Sequence, residues 1–352
     1  MSEIKTALSD IKTALSDIKK AMNGNKTARI MHITLLALLP GFAVFAWHFG
    51  IGVLLNVAVA SLTAVIGEAL VLKLRSRPLN SLADGTAVLT GALLGLCLPP
   101  LLPFWMVAIG AGFAVVFGKH LYGGSGNNVF NPAMVGFAML IISFPLAMSH
   151  WPAPSSTNSG YTVAASSFTT KLNTNAAQEH YDGITAATPL DAYKFRIAST
   201  NDEFFSVSGT QEINWQTWAS INLAFLMGGL FLLYRKLIPW QIPASFLATL
   251  GVLSLVFYDG GSSASLGSPA FTLFTGASML TAFFIATDPV TSPGHRVGLL
   301  VFGSGVGLIV FIIRSWGAYP EGVAFAILLM NATAPLIDHV FVLRDRSTMK
   351  PA

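Results

Sequence analysis

Repeated apolar stretches of near membrane-spanning length, separated by short polar connections, most constrain how this 352-residue chain can fold. A helix needs about 20 apolar residues to cross a bilayer core. Backbone N–H and C=O groups in lipid must also find partners within the protein. Ten such segments can be read, at 31–49, 50–72, 86–99, 100–117, 131–148, 216–234, 238–258, 271–286, 295–313 and 317–341. The third and eighth are short, and only the Pro99-Pro100 region divides the third from the fourth, a pattern that predicts broken or re-entrant helices packed inside protein. Only 10% of residues are charged and 53% are hydrophobic, whereas soluble chains carry about a quarter charged residues. An ordinary soluble enzyme is thereby excluded. The polar first thirty residues, followed by a full span, do not read as a cleaved signal peptide.

Charge sets the orientation. With ten spans, 16 of the 20 Lys and Arg residues fall on one side and only Lys171, Lys194, Arg196 and Arg314 on the other. That asymmetry places both termini in the cytoplasm. No basic stretch carries the interleaved aromatics of a nucleic-acid groove, so no nucleic-acid partner is expected. The expected fold is an all-α polytopic membrane protein with a large periplasmic loop. Its divisions are a cytoplasmic amphipathic heptad arm (1–30), a first five-helix membrane repeat (31–148), the periplasmic loop (149–215), a second five-helix repeat (216–341) and a cytoplasmic tail (342–352).

In the arm, Ile4, Leu8, Ile11, Leu15, Ile18 and Met22 alternate spacings of four and three. This heptad seam suits an amphipathic helix on the membrane or a partner, or a short coiled coil. Five spans on each side of the loop make the second half enter the membrane from the opposite face, the arithmetic of an inverted repeat. Thr90-Gly91-Ala92 in the third span and Thr275-Gly276-Ala277 in the eighth occupy matching places. Such a repeat puts a ligand or ion site near the midplane between the halves.

The single cysteine, Cys97, excludes an internal disulfide and a cysteine-ligated iron–sulfur cluster built by this chain alone. Beside Leu98-Pro99-Pro100 it reads as a buried small apolar residue. The histidines, His120 among them, show no metal or haem spacing and read as interfacial or structural.

Two stretches carry chemistry. In the long loop, Asp182-Gly183-Ile184-Thr185-Ala186-Ala187-Thr188-Pro189 combines a turn, small residues that let a planar ligand approach, and a Thr hydroxyl that a transferase could esterify. By chemistry alone it could equally be a solvated Ser/Thr-rich loop. Gly118-Lys119-His120-Leu121-Tyr122-Gly123-Gly124-Ser125-Gly126-Asn127-Asn128-Val129-Phe130-Asn131-Pro132-Ala133 offers unhindered N–H groups beside a lysine. It suits an anion nest or a tight connection.

The pattern Asp-x-x-Thr-x-Ala-Thr resembles the flavinylation motif of the D-subunit family of Rnf-type ion-translocating oxidoreductase complexes. It is similar to that of the B subunit of the sodium-pumping NADH:quinone oxidoreductase. The 118–133 stretch, Asp84-Gly85-Thr86-Ala87, and Ala286-Thr287-Asp288-Pro289-Val290-Thr291-Ser292-Pro293 share the resemblance, which covers most of 30–345 and omits the arm. It implies FMN bound covalently through its phosphate to Thr188, with Asp182, Thr185 and Ala187 read by a periplasmic flavin transferase. It also implies a possible riboflavin or second flavin, for which Lys119, Gly123, Gly124 and Asn128 are candidates. The expected function is electron carriage in a complex that couples NADH and a low-potential acceptor such as ferredoxin to ion translocation. Partner subunits would hold the iron–sulfur clusters, further flavin and the NADH site, because this chain has neither a Rossmann fingerprint nor a cysteine set.

Acids in or near spans mark ion pathways or internal pairs by default. Glu68, Asp288 and Glu321 are the ion-path candidates, with Asp338 behind them. The competing functions are an inverted-repeat channel or secondary transporter without a redox role, and a purely structural anchor.

Overall fold

The computed structural model describes residues 26–154, 171, 185–196, 200, 201, 204 and 215–348. The heptad arm before residue 26, Asp182 and most of the 149–215 loop lie outside the described residues. The described chain is mostly helical, and five helices are long and apolar enough to cross a membrane: Thr27–Phe49, Ile51–Leu74, Trp215–Tyr234, Arg296–Trp316 and Val323–Phe341.

In chain order the helices are α1 (Lys26–Phe49), α2 (Ile51–Leu74), α3 (Thr86–Cys97), α4 (Phe104–Phe113), α5 (Pro132–Ser143), α6 (Pro145–Ser149), α7 (Pro189–Lys194), α8 (Trp215–Tyr234), α9 (Gln241–Val256), α10 (Pro269–Phe274), α11 (Ser278–Leu280), α12 (Arg296–Trp316) and α13 (Val323–Thr348). The helix of α4 continues with wider, π-type turns over Ala114–His120, and that of α11 does the same over Thr281–Ile285. Helix falls within each apolar segment of the sequence, although α3, α4 with its continuation to His120, α5 and α9 are shorter than the five long helices.

Helix α2 shows how sequence sets the packing. Gly52, Asn56, Ala60, Ala64, Glu68 and Leu72 recur every four residues and are buried, while Leu54, Leu62, Ile66 and Leu70 are exposed on the opposite, lipid-compatible face. Against the buried side lies α3, whose Gly91 and Gly95 bring the two backbones together; a Cβ on Gly95 would stand 2.7 Å from Val57 Cα. Helices α9 and α12 repeat the device, since a Cβ on Gly303 or Gly307 would meet Ile242 O at 2.7 Å or Phe246 O at 2.8 Å. Both pairs are Gly-x-x-x-Gly spacings, which put two small residues on one face of a helix and let van der Waals contact replace a hydrophobic drive that lipid cannot supply.

The eighth apolar segment is broken, as its length predicts. Between α10 and α11 the chain leaves helix at Thr275-Gly276-Ala277, with Gly276 at φ 59°. Buried Asn222 of α8 satisfies the freed groups: its amide donates to Phe274 O and Gly276 O at 3.0 Å, and its oxygen accepts from Met279 N at 3.0 Å. The third segment differs, because it is one short uninterrupted helix whose irregular backbone follows it at 98–103. There Asn56 Nδ2 donates to Pro99 O at 2.9 Å. Two further asparagines tie the halves together: Asn131 N donates to Asn331 Oδ1 at 3.0 Å, Asn131 Nδ2 to Ile285 O at 3.2 Å, and Asn331 Nδ2 to Thr291 O at 3.0 Å.

Replacing Gly95 or Gly307 by Val should cost about 1–3 kcal/mol by overpacking, read as a lowered Tm of the detergent-solubilised chain. Gly112→Ala, where nothing lies within 4 Å of an added Cβ, should change stability by no more than about 0.5 kcal/mol, leaving Tm close to the parent's.

Candidate functional site

Thr188 is held at the start of α7. Its hydroxyl donates to Asp191 Oδ2 at 2.5 Å and accepts from Asp191 N at 3.2 Å, and Pro189 takes the first helical position. This is an N-cap in which a Thr oxygen answers an otherwise orphan N–H. Just before it, Thr185 pairs with Pro152 in an isolated antiparallel bridge, and Ala186 N donates to Trp151 O at 2.9 Å. Ala187 is exposed. Behind α7, Lys194 Nζ donates to Tyr319 O at 2.7 Å and Ile313 O at 2.9 Å. Tyr193 is buried against Phe271 and Phe204, its hydroxyl donating to Asn201 Oδ1 at 2.7 Å. The motif therefore sits on a pinned platform. Burial pushes the Asp191 carboxyl above its ordinary value, against the pull of the Thr188 hydroxyl and Lys194.

The platform closes one side of a cavity of about 170 Å³ between the two halves. Phe45, Met134, Trp151, Trp218, Phe225 and Leu280 supply apolar walls, while Thr188, Asp191 and Glu321 supply the polar groups. Phe45, Phe49, Trp151 and Trp218 form a cluster with ring centroids 5.1–6.5 Å apart. An apolar, aromatic-lined pocket with a few convergent polar groups is the usual form of a small-molecule or cofactor site. Cys97, expected to be buried, is half-buried and lines this cavity, because the chain leaves helix immediately after it.

Glu321 is committed rather than free. It receives Arg314 Nη2 at 2.8 Å, Ala277 N at 3.0 Å and Gly322 N at 3.1 Å, so it also caps the break of the eighth segment. Arg314 in turn donates to Thr272 O and Ser278 Oγ.

A second charged cluster lies twelve residues further along α2 from Asn56, about 18 Å at 1.5 Å per residue. Lys119 Nζ donates to Glu68 Oε2 at 2.7 Å, Glu68 Oε1 at 2.8 Å and Thr86 Oγ1 at 2.6 Å, with both charged side chains at most 3% exposed. The Thr86 hydroxyl itself donates to Asp84 Oδ1 at 2.6 Å. Asp288 closes a turn, its Oδ1 accepting from Val290 N at 3.1 Å. Glu68 is thus engaged by Lys119, and Glu321 by Arg314. Asp338 accepts from the N–H groups of Gly294 and His295.

Lys119, which reads in the sequence as a flavin contact, is engaged by Glu68. The turn beside it uses its own amides: Gly123 N donates to His120 O and Gly124 N to Lys119 O, while Arg77 Nη1 donates to Gly123 O at 2.9 Å. Asn128 Nδ2 donates to Phe130 O at 3.1 Å. His120, read as interfacial or structural, takes a structural place: it is buried at the end of the Ala114–His120 turns with Nε2 3.7 Å from Glu68 Oε1.

Lys171 is a residue that sequence reasoning misses. It is 2% exposed, with Nζ donating to Asn56 Oδ1 at 2.5 Å and Leu102 O at 3.1 Å and lying 5.1 Å from the Phe104 ring centroid. No sequence pattern marks it, since its partners are 69 and 115 residues away. Burial pushes its ammonium down to about 7.

Apolar helices of membrane-spanning length, one segment broken inside the protein, tied together by buried polar side chains, define a multi-pass membrane protein. The chain belongs to the NQR2, RnfD, RnfE family, whose model matches residues 19–346. It is 46% identical over 337 residues to the D subunit of the ion-translocating oxidoreductase complex of Ectopseudomonas mendocina, covering 93% of this chain and 94% of that one. It is 47% identical over 322 residues to the protein of that name from Pseudomonas aeruginosa, with 90% of each covered, and 42% identical over 332 residues to that of Cellvibrio japonicus, with 93% of each covered.

Lys171 generates a pH prediction. The folded chain holds fewer protons than the unfolded one between pH 7 and 10.5, so stability should rise with pH across that window and carry the full burial penalty below it. Melting of the parent against Lys171→Met from pH 6 to 10 should show the rise in the parent and its loss in the variant.

Proposed function

We propose that this chain is the D subunit of an ion-translocating oxidoreductase complex, a bacterial Rnf-type complex, and that it carries FMN covalently on Thr188. The observation that carries this reading is the position of the Thr188 hydroxyl at an aromatic-lined apolar cavity between the halves, within a motif of flavinylation type. When bound, FMN would supply one- and two-electron transfer. Thr188 would hold the phosphate through its oxygen, which requires the hydroxyl to leave Asp191 Oδ2. Trp151, Trp218 and Phe45 would orient the ring and keep water from it, while Arg314 and Glu321 place a balanced charge pair at the cavity.

In this reading the chain crosses the bacterial inner membrane ten times as two inverted five-helix repeats, with cytoplasmic termini and 149–215 in the periplasm. A periplasmic flavin transferase loads it, and partner subunits hold the iron–sulfur clusters and the NADH site that couple to an acceptor such as ferredoxin. Glu68, Asp288 and Glu321 serve the ion path. A second flavin at Lys119, Gly123, Gly124 and Asn128 would require the Glu68 ion pair to open.

The test is mass and in-gel fluorescence of the denatured chain after co-expression with the transferase. One esterified FMN is expected on the parent and none on Thr188→Val. An unmodified parent, with the transferase active on another substrate, would leave an inverted-repeat transporter without a redox role in front. Glu68→Gln in the assembled complex should lower ions moved per electron by about tenfold or more, in line with loss of an intramembrane charge that marks a pathway; unchanged pumping would remove Glu68 from the path.

A further inference from the structure

We infer that the Glu68 carboxylate, the Thr86 hydroxyl and the His120 imidazole form an alkali-cation site, and that the Lys119 ammonium occupies it as a tethered surrogate cation that closes it. The inference rests on the ion-path reading of Glu68 for its functional consequence, but the site itself can be tested without pumping.

Three oxygens converge on Lys119 Nζ: Glu68 Oε1 and Oε2 at 2.8 and 2.7 Å, and Thr86 Oγ1 at 2.6 Å. The Thr86 oxygen can act there only as an acceptor, because its proton is committed to Asp84 Oδ1 and Thr86 N also donates to that oxygen at 2.8 Å. Asp84 therefore fixes which face of the hydroxyl points at the cation. The ligands come from α2, the start of α3 and the end of the α4 helix, so they are set by tertiary packing. The carboxylate and hydroxyl positions are oxygen donors suited to a hard cation.

His120 supplies the independent sign of a ligand. It is 3% exposed, its Nε2 is buried and makes no hydrogen bond among the described residues, and it lies 3.7 Å from Glu68 Oε1. A buried polar atom without a partner calls for an explanation. A cation drawn toward Glu68 and His120 would answer it.

A plain structural ion pair is the competing account. Removing one partner of such a pair leaves an uncompensated buried charge and destabilises the fold, with no dependence on which salt is present. A cation site behaves differently: once the ammonium is gone, an alkali cation that binds the folded chain stabilises it by mass action. For transport, Lys119 must then withdraw from Glu68 before an ion can enter, and it returns to neutralise the carboxylate after the ion leaves. No bond is made or broken; one cation replaces another.

The experiment compares melting of the full chain in detergent at fixed ionic strength in NaCl, LiCl, KCl and choline chloride. Lys119→Met should melt a few degrees higher in at least one alkali chloride than in choline chloride, the parent should melt alike in all four, and adding Glu68→Gln to Lys119→Met should abolish the difference. Lys119→Gln, which keeps a donor to Glu68, runs beside it and decides the matter if Lys119→Met does not fold. Equal melting of the Lys119 variants in all four salts, an equal cation response in the parent, or a response that survives Glu68→Gln overturns the inference. Failure of the two readings is separable. A cation response with unchanged pumping in Glu68→Gln removes the path and keeps the site, whereas no response with lost pumping removes the site and keeps the path.

Discussion

Every irregular stretch of backbone inside this protein must be satisfied by the protein itself, and four buried asparagines meet much of that demand. Lipid supplies no hydrogen bonds, and each unpaired N–H or C=O there costs several kcal/mol. Asn222 closes the break at 275–277, Asn56 closes the end of α3, and Asn131 with Asn331 bridges the two halves. An Asn side chain can donate and accept at once, so one residue on a regular helix answers both kinds of orphan group on a neighbour. Those breaks allow the chain to turn within the membrane and leave room for the cavity between the halves.

Charge follows the same rule. Glu321 and Arg314 form a pair that also caps the 275–277 break, so the electrostatics of the cavity and the integrity of the broken helix depend on the same atoms. Lys119 and Glu68 are paired within a shell completed by Thr86 and Asp84. Lys171 is the exception: among the described residues it meets only neutral groups, the Asn56 oxygen, the Leu102 carbonyl and a Phe104 ring. It holds a piece of the 149–215 loop against the first half, on the same helix α2 that carries Glu68.

Much of this is readable along the chain. Apolar run lengths locate the helices, shortness flags 86–99 and 271–286 although only the second is interrupted, and the Gly-x-x-x-Gly spacings sit where α2 meets α3 and α9 meets α12. Glu68 stands out because a lone acid in an apolar run is costly. Its partner does not, because Lys119 is 51 residues away in a stretch whose glycines suggest a ligand loop. The full burial of His120 and the half-burial of Cys97 are not legible for a related reason: burial of a single side chain at a helix end depends on local helical twist and on where the helix stops, and neither shows in hydropathy.

The sequence by itself determined that the chain is a helical membrane protein and which segments are apolar enough to be helices. Those properties depend on composition and spacing over one helix length. Tertiary structure alone decided that Thr188 caps α7 beside an aromatic cavity, that Glu321 is tied to Arg314, and that one lysine links Glu68, Thr86 and Asp84. Partners tens to hundreds of residues apart meet only when helices pack, and side-chain spacing along one helix carries no information about which neighbour it will face.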